Sequence, residues 1–465
     1  MENPWGIVIA VAAFLIQFIT FGICLSFGIY VIELQNEFDS GLSIISSIGS
    51  INIGFQLSSG PFASFLMRKM SYRKVCLLGA IMSSVGLSVL PFTPNIPYLI
   101  AFFGVITGIG FCFLYVPSHT LSGLWFDKNR GLVTGIVTSG SSLGGVVFPH
   151  LIELLIEVFG WRGSFYILAA LNLQTILLSG LMRESPIQRS WKKLKTKNIN
   201  NGSDLTDSTK TIYTIAEING SINCQNGATS KHNSSGIDVT KKNTKEQRKK
   251  SLEEKSRAMR LLTNLPYILY TINNLLWNFG GSVHLLLGPD YYTKVGLDVT
   301  QAASLLSVEQ GIMTVGCVLG GILGNHRKIN RCILFLATNF VTGSCLLAFT
   351  VPVFHTMGAL AIINSLFGLS FGTSLGLLVI LVSDFLGSEL IGEGMGYLLL
   401  ACGIGTFIGP PFGGYLVQRT GSYDMAYYLA GAATMLSGLV LMVVPIRDCF
   451  RRSKTYFITV TEKGK

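Results

Sequence analysis

Residues 125–145 read Trp125-Phe-Asp-Lys-Asn-Arg-Gly-Leu-Val-Thr-Gly-Ile-Val-Thr-Ser-Gly-Ser-Ser-Leu-Gly-Gly145, and the same pattern returns in thinned form 261 positions later. Glycine accounts for 52 of the 465 residues, so one coincidence would mean little. Six positions, however, keep their residue type in a single register: Gly131 and Gly392, Gly135 and Gly396, Gly144 and Gly405, Pro149 and Pro410, Gly160 and Gly421, and Tyr166 and Tyr427. The chain is therefore predicted to consist of two homologous halves, an arrangement typical of secondary transporters that hold their substrate between the halves.

The composition is that of a membrane protein. Hydrophobic residues make up 49% of the chain, charged residues only 13%, and the mean hydropathy is +0.52, whereas soluble domains carry about 25% charged residues. About 20 apolar residues span a bilayer, and apolar runs of this kind lie at 6–30, 42–67, 75–93, 98–123, 131–158, 164–182, 265–287, 300–323, 332–353, 357–386, 391–417 and 425–446. We therefore predict an all-α membrane protein with twelve transmembrane helices in two pseudo-symmetric six-helix bundles.

The runs divide the chain into an N-terminal bundle (1–184), a linker loop (185–264), a C-terminal bundle (265–446) and a tail (447–465). The first run lacks a basic leader and a small-residue cleavage site, so it is predicted to be a retained span. The linker is rich in Asn, Ser, Thr and Lys and too poor in apolar residues to fold by itself. Its basic stretch 241–250 either lies against anionic lipid or serves only as a solvated tether.

The basic residues predict the orientation in the membrane. Of the 35 Lys and Arg residues, 16 fall in the linker, and long loops influence orientation little. Of the remaining 19, 16 lie in the tail or at the even-numbered span ends, and the opposite face keeps only Arg162, Lys294 and Arg419. Both termini and the linker are therefore predicted to be cytoplasmic. The linker sequons at Asn201, Asn219 and Asn233 should carry no glycan, and the net charge of +11 reflects topology rather than a nucleic-acid surface.

No motif for a cofactor, a metal or a hydrolytic reaction stands out. The nine cysteines show neither CxxC nor Cys/His zinc spacing, and P-loop and HExxH motifs are absent. Gly140-Ser-Ser-Leu-Gly144 satisfies the nucleophile-elbow pattern, but that pattern requires a strand–turn–helix context and here it lies inside an apolar run. The sequence therefore predicts no enzyme, no cofactor and no metal site.

Motifs in nearly every span resemble those of the monocarboxylate porter family of the major facilitator superfamily. The resemblance rests on Trp5-Gly6, Ser26-Phe-Gly-Ile-Tyr30, Ser46-Ser-Ile-Gly-Ser-Ile-Asn52, Leu57-Ser-Ser-Gly-Pro-Phe-Ala-Ser64, Phe126-Asp-Lys-Asn-Arg-Gly-Leu-Val-Thr-Gly135, Gly160-Trp-Arg-Gly163, Leu275-Leu-Trp-Asn-Phe-Gly280, Thr314-Val-Gly-Cys-Val-Leu-Gly-Gly321, Val382-Ser-Asp-Phe-Leu-Gly387, Gly403-Ile-Gly-Thr-Phe-Ile-Gly-Pro-Pro-Phe-Gly-Gly-Tyr415 and Gly421-Ser-Tyr-Asp424. The loop at 127–131 and the Thr-Ser-Gly-Ser-Ser run at 138–142 are closer to the less characterised branches than to the lactate carriers. The resemblance implies the twelve-helix major facilitator fold.

Departures from the lactate carriers bear on the substrate. The resemblance places Cys317 where those carriers have an arginine that pairs with the substrate carboxylate, and the lysine of their first span has no counterpart around residues 28–30. A carboxylate at the bilayer midplane needs a partner charge or oriented dipoles. A zwitterionic, neutral or aromatic solute therefore stands as an alternative to a simple monocarboxylate.

Polar groups inside apolar runs are candidates for solute contact, because such groups are costly in a membrane. On the seventh run Asn274, Trp277 and Asn278 share a helical face, which favours either solute contact or amide bonding between helices. Glu309 either holds a cationic group or is an interfacial carboxylate. The full set of substrate-binding candidates is Tyr115, His119, Ser139, Ser142, Asn274, Trp277, Asn278, Glu309, Gln310 and Cys317.

A second set of candidates serves gating or proton coupling. Asp384 either takes a substrate or proton role or acts as a gate residue capped by a nearby Arg or Lys. The loops at 68–74 and 325–331 resemble the superfamily's conserved cytoplasmic loop, in which basic groups bond helix carbonyl ends, although its usual acidic member is absent. The gating candidates are Asp384, Arg130, Arg68, Arg73, Arg327 and Arg331.

The sequence thus predicts a plasma-membrane carrier of small organic solutes that works by alternating access. Two carrier hypotheses remain open, a proton-coupled monocarboxylate carrier and a facilitative carrier of a carnitine-, creatine- or amino-acid-like solute. A third hypothesis is a solute sensor with the same fold that no longer transports. The expected partners are the solute, in the first case a proton, and the lipid bilayer, and the resemblance also allows a single-span ancillary membrane protein.

Overall fold

A computed structural model of the chain describes residues 4–39, 42–126, 128–185, 260–261, 263–326 and 328–463. The basic stretch of the predicted linker, its three sequons and the gating candidate Arg327 lie outside these residues. Residues 1–184 and 264–465 form one compact unit.

Long α-helices dominate the described residues. They are α1 (Trp5–Leu25), α2 (Tyr30–Phe38), α3 (Leu42–Ser58), α4 (Gly60–Lys69), α5 (Tyr72–Val89), α6 (Ile96–Leu99), α7 (Gly108–Trp125), α8 (Arg130–Leu181), α9 (Leu265–Lys294), α10 (Val299–Asn325), α11 (Arg331–Ala348), α12 (Met357–Leu386), α13 (Ile391–Thr420) and α14 (Asp424–Lys463). A π-helical stretch, Ile100–Thr107, joins α6 to α7. The helix α14 continues through the predicted tail.

Nine helices within the described ranges are long and apolar enough to cross a bilayer. The twelve predicted runs fall mainly on helical residues, but not one to one. The range of α8 carries two runs, one on each side of a kink at Gly160, where φ is 67° and ψ is 172°. The second run is divided between α3 and α4, and the seventh run lies on α9, whose asparagines lower its mean hydropathy. An all-α multi-pass architecture is therefore confirmed, and the count of twelve crossings stays a prediction.

The repeat in the sequence corresponds to a repeat in the structure. Gly160 and Gly421, which occupy equivalent positions, share a positive φ, 67° and 72°, which glycine adopts without steric cost, although their ψ angles differ, 172° at Gly160 and -1° at Gly421. Gly144 packs on the backbone of α1 at Phe18, and its counterpart Gly405 packs on the backbone of α9 at Leu275. Each half thus docks its equivalent helix on its own first helix, as duplication requires.

Each half has an aromatic core of its own. In the N-terminal half the ring of Tyr30 stacks on Phe165 with centroids 4.4 Å apart. In the C-terminal half Trp277 stacks on Phe371 at 4.3 Å. Each of these stacks therefore stabilises the half to which it belongs, whereas Phe55 and Phe407 pack across the boundary with centroids 5.7 Å apart.

Glycines bring the two halves into backbone contact. A Cβ at Gly321 of α10 would lie 2.4 Å from the carbonyl oxygen of Gly131 in α8, and a Cβ at Gly60 of α4 would lie 2.4 Å from that of Gly396 in α13. Small residues permit such close approach between membrane helices. Both contacts lie at the end of the molecule that carries Arg68, Lys69, Arg73, Lys74, Arg130 and Arg331, which we call the basic end.

Candidate functional site

Six buried polar residues from both halves meet where the halves face each other. Three come from the N-terminal half and three from the C-terminal half, and none is more than 4% exposed. Tyr115 packs on His119 and Cys402 lies beside Asn274, each within one half, and Ser142 lies beside Cys317 across the boundary. We call this set the central group: Tyr115, His119, Ser142, Asn274, Cys317 and Cys402.

His119 presents a hydrogen-bond acceptor in this group. Its Nε2 lies 3.1 Å from the Thr138 hydroxyl, and that hydroxyl donates its single hydrogen to the carbonyl of Thr134 at 2.7 Å. The Nε2–H of His119 therefore donates to Thr138, which leaves Nδ1 as the acceptor of the ring. This Nδ1 is buried and has no hydrogen-bond partner among the described atoms, so it is free to accept from a solute.

The other members form weak contacts that a solute can replace. The Ser142 hydroxyl lies 3.9 Å from the Cys317 sulfur across the boundary, and the Cys402 thiol lies 4.0 Å from Oδ1 of Asn274. Thiol hydrogen bonds are weak. The ring of Tyr115 packs on His119 with centroids 5.0 Å apart, so the group combines hydroxyl, amide, thiol and imidazole groups with an aromatic wall.

Asn274, Trp277 and Asn278, which were predicted to share a face of α9, contact different parts of the structure. Trp277 is turned into the core of the C-terminal half, where it stacks on Phe371. Asn274 and Asn278 each donate to a carbonyl of their own helix, at 2.8 and 3.0 Å, and Asn278 lies against Gly405 of α13. Ser139 likewise bonds its own helix, at Ile136. Only Asn274 of this set joins the central group, because helical spacing does not fix which neighbouring helix each side chain meets.

Glu309 is not an interfacial carboxylate. It is completely buried, and its Oε2 lies 3.1 Å from Nε2 of His284 inside the C-terminal half. The neighbouring Gln310 faces the other half, where its Oε1 would lie 3.0 Å from a Cβ at Gly145. The structure therefore separates two adjacent candidates, since Gln310 borders the boundary near the central group and Glu309 does not.

At the basic end Arg130 ties the halves together. From the start of α8 its guanidinium donates to the Ser383 hydroxyl of α12 and to the Ser388 hydroxyl, at 3.1 Å. Its Nε also bonds the carbonyl of Phe126 at 3.3 Å. One side chain thus fixes a loop of its own half and two serines of the other.

A second bridge at the basic end joins α4 to α13. The Ser64 hydroxyl donates to the carbonyl of Gly392 at 2.7 Å, and Arg68 lies 3.9 Å from a carboxylate oxygen of Glu393. With the contact between Gly60 and Gly396, these bonds hold the basic end closed.

Asp384 pairs with Arg331, at 2.6 and 2.9 Å to its two oxygens. The same arginine donates to the carbonyl of Gly324 at 2.6 Å and so caps the end of α10. This geometry favours the gate alternative for Asp384, although both residues belong to the same half. Arg73 is exposed and makes no bridge between the halves in the described contacts.

Comparison with known proteins gives the family. A model of the Major Facilitator Superfamily matches residues 9–405. The chain belongs to the major facilitator superfamily. Because its members move solutes across membranes, the protein is a multi-pass membrane transporter and not an enzyme.

Several relatives confirm the resemblance that the motifs indicate. The transporter is 28% identical to Monocarboxylate transporter 9 of Gallus gallus, with 96% of this chain and 94% of that protein covered. It is 26% identical to Monocarboxylate transporter 12 of Mus musculus, with 98% and 88% covered, and 23% identical to Monocarboxylate transporter 14 of Homo sapiens, with 98% and 94% covered.

A solved structure supports the fold. The proton:xylose symporter XylE bound to 6-bromo-6-deoxy-D-glucose superimposes with a TM-score of 0.71 over 95% of this chain and 96% of that one, at 14% identity. At this identity the likeness concerns the fold alone.

Several residues at the boundary of the transporter's halves were not predicted from the sequence. Cys402, Glu393 and Ser388 contribute contacts that no motif marked, and Ser383 lies in a quoted motif but was not a candidate. Glu393 did carry a signal, because its repeat counterpart is the apolar Leu132. A charged residue in one half whose counterpart in the other half is apolar indicates a function that only one half performs.

The described residues contain no group of three or more His, Cys, Asp or Glu side chains placed to hold a metal ion. The seven cysteines whose surroundings are described are all buried and free.

Proposed function

We propose that the transporter carries small monocarboxylates across the plasma membrane together with a proton, by alternating access. The central group carries this proposal, because residues of both homologous halves form one buried polar set between them. The names of the relatives supply the solute class, since Monocarboxylate transporters 9, 12 and 14 align over nearly the whole chain.

The chemistry of the central group favours a solute that enters without net charge. None of its six residues carries a formal charge when His119 is neutral, so a bare carboxylate would lack a partner. A carboxylate meets this requirement when a coupled proton, bound by the solute or by the protein, supplies the compensating positive charge. The free Nδ1 of His119 accepts a hydrogen bond from a hydroxyl such as that of a 2-hydroxy acid.

The same observation favours a second candidate, facilitative transport of a zwitterionic or neutral solute. Such a solute brings its own compensating charge and needs no coupled proton. Tyr115 and the adjoining Phe21, whose ring centroid lies 5.3 Å from that of Tyr115, provide an aromatic wall for a quaternary or guanidinium cation.

Uptake into proteoliposomes distinguishes the two candidates. We expect radiolabelled L-lactate or pyruvate to accumulate when the outside is acidified, with much less uptake at equal pH, and little uptake of creatine or L-carnitine. Uptake of creatine or L-carnitine that ignores the pH gradient supports the second candidate. No flux of any probe with correctly inserted protein contradicts both and favours the sensor hypothesis.

We further propose that the basic end and both termini face the cytoplasm. The support is the charge count, in which Arg162, Lys294 and Arg419 are the only basic residues assigned to the opposite face. Epitope tags at residue 1 and residue 465 should both be inaccessible to antibody on intact cells and accessible after permeabilisation. Surface labelling of either tag on intact cells would contradict this orientation.

A further inference from the structure

A buried ionisable pair lies outside the central group. His284 of α9 and Glu309 of α10 are both 0% exposed, and Nε2 of the histidine lies 3.1 Å from Oε2 of the carboxylate. Nε2 also lies 3.3 Å from Oδ1 of Asn364 in α12, and Nδ1 lies 3.2 Å from the Tyr427 hydroxyl of α14. Four helices of the C-terminal half thus converge on one imidazole.

The pair is only partly satisfied. Oε1 of Glu309 is buried and has no hydrogen-bond partner among the described atoms. The neighbouring Asn364, by contrast, accepts a hydrogen bond from the Tyr292 hydroxyl at 2.6 Å. A buried carboxylate oxygen without a partner is costly. Ionisable residues inside membrane helices mark ion and proton pathways more often than packing.

An aromatic shell encloses the pair. The His284 ring stacks on Phe349 with centroids 4.6 Å apart and meets Phe367 edge-on at 4.5 Å. The titratable or charged groups around it are Tyr292 and Tyr427, then Tyr291, His355 and Asp424. Tyr291, His355 and Asp424 lie toward the end opposite the basic end, where the Tyr291 hydroxyl lies 3.1 Å from Nε2 of His355. Proton exchange with bulk water therefore requires this shell to open.

We propose that Glu309, positioned by His284, is the proton-binding site of the transporter. A proton from bulk water forms an O–H bond on Oε1 of Glu309, and the net charge of the cluster rises by one whichever ring nitrogen of His284 is protonated. This inference rests on the proposed proton-coupled carrier function, since it names the group that takes the coupled proton.

The helix α10 links this site to the solute. Eight residues, or about 12 Å of helix, separate Glu309 from Cys317 of the central group. One added positive charge at that distance strengthens carboxylate binding about tenfold at an effective dielectric constant near 20. The backbone of α10 is held closely on both sides, because Gly368 of α12 packs on the Glu309 carbonyl and Gly135 of α8 packs on the Cys317 carbonyl. Protonation of Glu309 therefore changes the charge on a helix, α10, whose backbone is packed against both halves.

Transport by Glu309→Gln tests the proposal, because glutamine keeps the shape and polarity of the side chain but cannot ionise. In proteoliposomes the wild-type protein should show L-lactate uptake driven by an inward proton gradient. The variant should lose this stimulation and keep exchange of labelled for unlabelled L-lactate at equal pH. Glu153→Gln, which changes an exposed glutamate of α8, is the matched control and should behave as wild type.

The outcomes separate this inference from the proposed function. Gradient-driven uptake that survives in Glu309→Gln overturns the proton site and leaves the carrier function intact. Wild-type uptake of any probe without pH dependence overturns the proton site as well. Absence of all flux in the wild type overturns the carrier function.

Infrared difference spectroscopy decides the proton site without a solute. Purified protein in lipid, titrated from neutral to acidic pH, should gain a carbonyl-stretch band of a buried protonated carboxylic acid. The band should be missing in Glu309→Gln and present in Glu153→Gln. If the Gln variant does not fold, Glu309→Asp should keep the band and shift its midpoint. A band that persists unchanged in Glu309→Gln overturns the assignment.

Discussion

Valine at Gly321 is expected to reduce transport about 100-fold while the protein still inserts and folds. The Cβ of any larger residue would lie 2.4 Å from the Gly131 carbonyl oxygen and 3.0 Å from the Gly135 Cα, both on α8 of the other half. These are backbone atoms, which cannot relieve the clash by a change of rotamer as a side chain can. Overpacking costs about 1–3 kcal/mol, and at the upper end of this range the closed basic end becomes about 100 times less populated.

The matched control for this prediction lies on the same helix. Gly311 of α10 has nothing within 4 Å of its Cβ position, so Gly311→Val makes the same chemical change without the obstacle. We expect its uptake to remain near that of the wild type. Comparable thermal stability of the two variants in detergent would show that the difference lies in the transport cycle and not in folding.

Natural cysteines report the conformation directly. Cys317 and Cys402 are buried in the central group, and opening of the basic end would expose them to water from that side. A membrane-impermeant thiol reagent applied to the basic end should therefore label Gly321→Val faster than wild type or Gly311→Val. Equal labelling rates together with wild-type uptake would show that this glycine contact does not control access.

Most of the fold could be predicted from the sequence, because membrane helices appear there as long apolar runs. Apolar runs predicted helices throughout, and the repeat paired Gly160 with Gly421, which share a positive φ. The number of separate helices could not be predicted as well. The range of α8 is interrupted by a kink at Gly160, where the backbone is not helical, and α3 ends near Ser59 within a single apolar run. Local backbone geometry and not hydropathy decides where a helix bends.

The site was predicted in part, and the misses have a physical pattern. Tyr115, His119, Ser142, Asn274 and Cys317 meet as part of one group, since each is a polar residue at a buried depth. Sequence spacing could not say which side of a helix faces which partner. Trp277 therefore turns into the core of its own half.

Glu309 shows the same limit more sharply. Its partner His284 is 25 residues away, on another helix, and only the packing of four helices brings the two together. The sequence analysis marked Glu309 as a candidate without indicating that it pairs with His284.

Replacement of Arg130 by methionine is expected to open the basic end about 30-fold more often than in the wild type. The side chain donates across the boundary to Ser383 and Ser388 and also to the Phe126 carbonyl. Hydrogen bonds of charged groups contribute about 1.5–3 kcal/mol each, and partial exposure reduces this, so we take about 2 kcal/mol for the set, which corresponds to about 30-fold. Concentrative uptake should fall, and thiol labelling of Cys317 from the basic end should rise.

A double-mutant cycle establishes whether the bonds between the halves cause this effect. In a Ser383→Ala, Ser388→Ala background the Arg130 side chain has lost its two serine acceptors, so Arg130→Met should have a smaller effect than it has in the wild-type background. Arg73→Met removes an exposed positive charge at the same end of the molecule and should leave labelling unchanged. If Arg130→Met acts equally in both backgrounds, or if Arg73→Met has the same effect, the role of Arg130 is that of a general surface charge and the proposed closure of the basic end by this bridge is wrong.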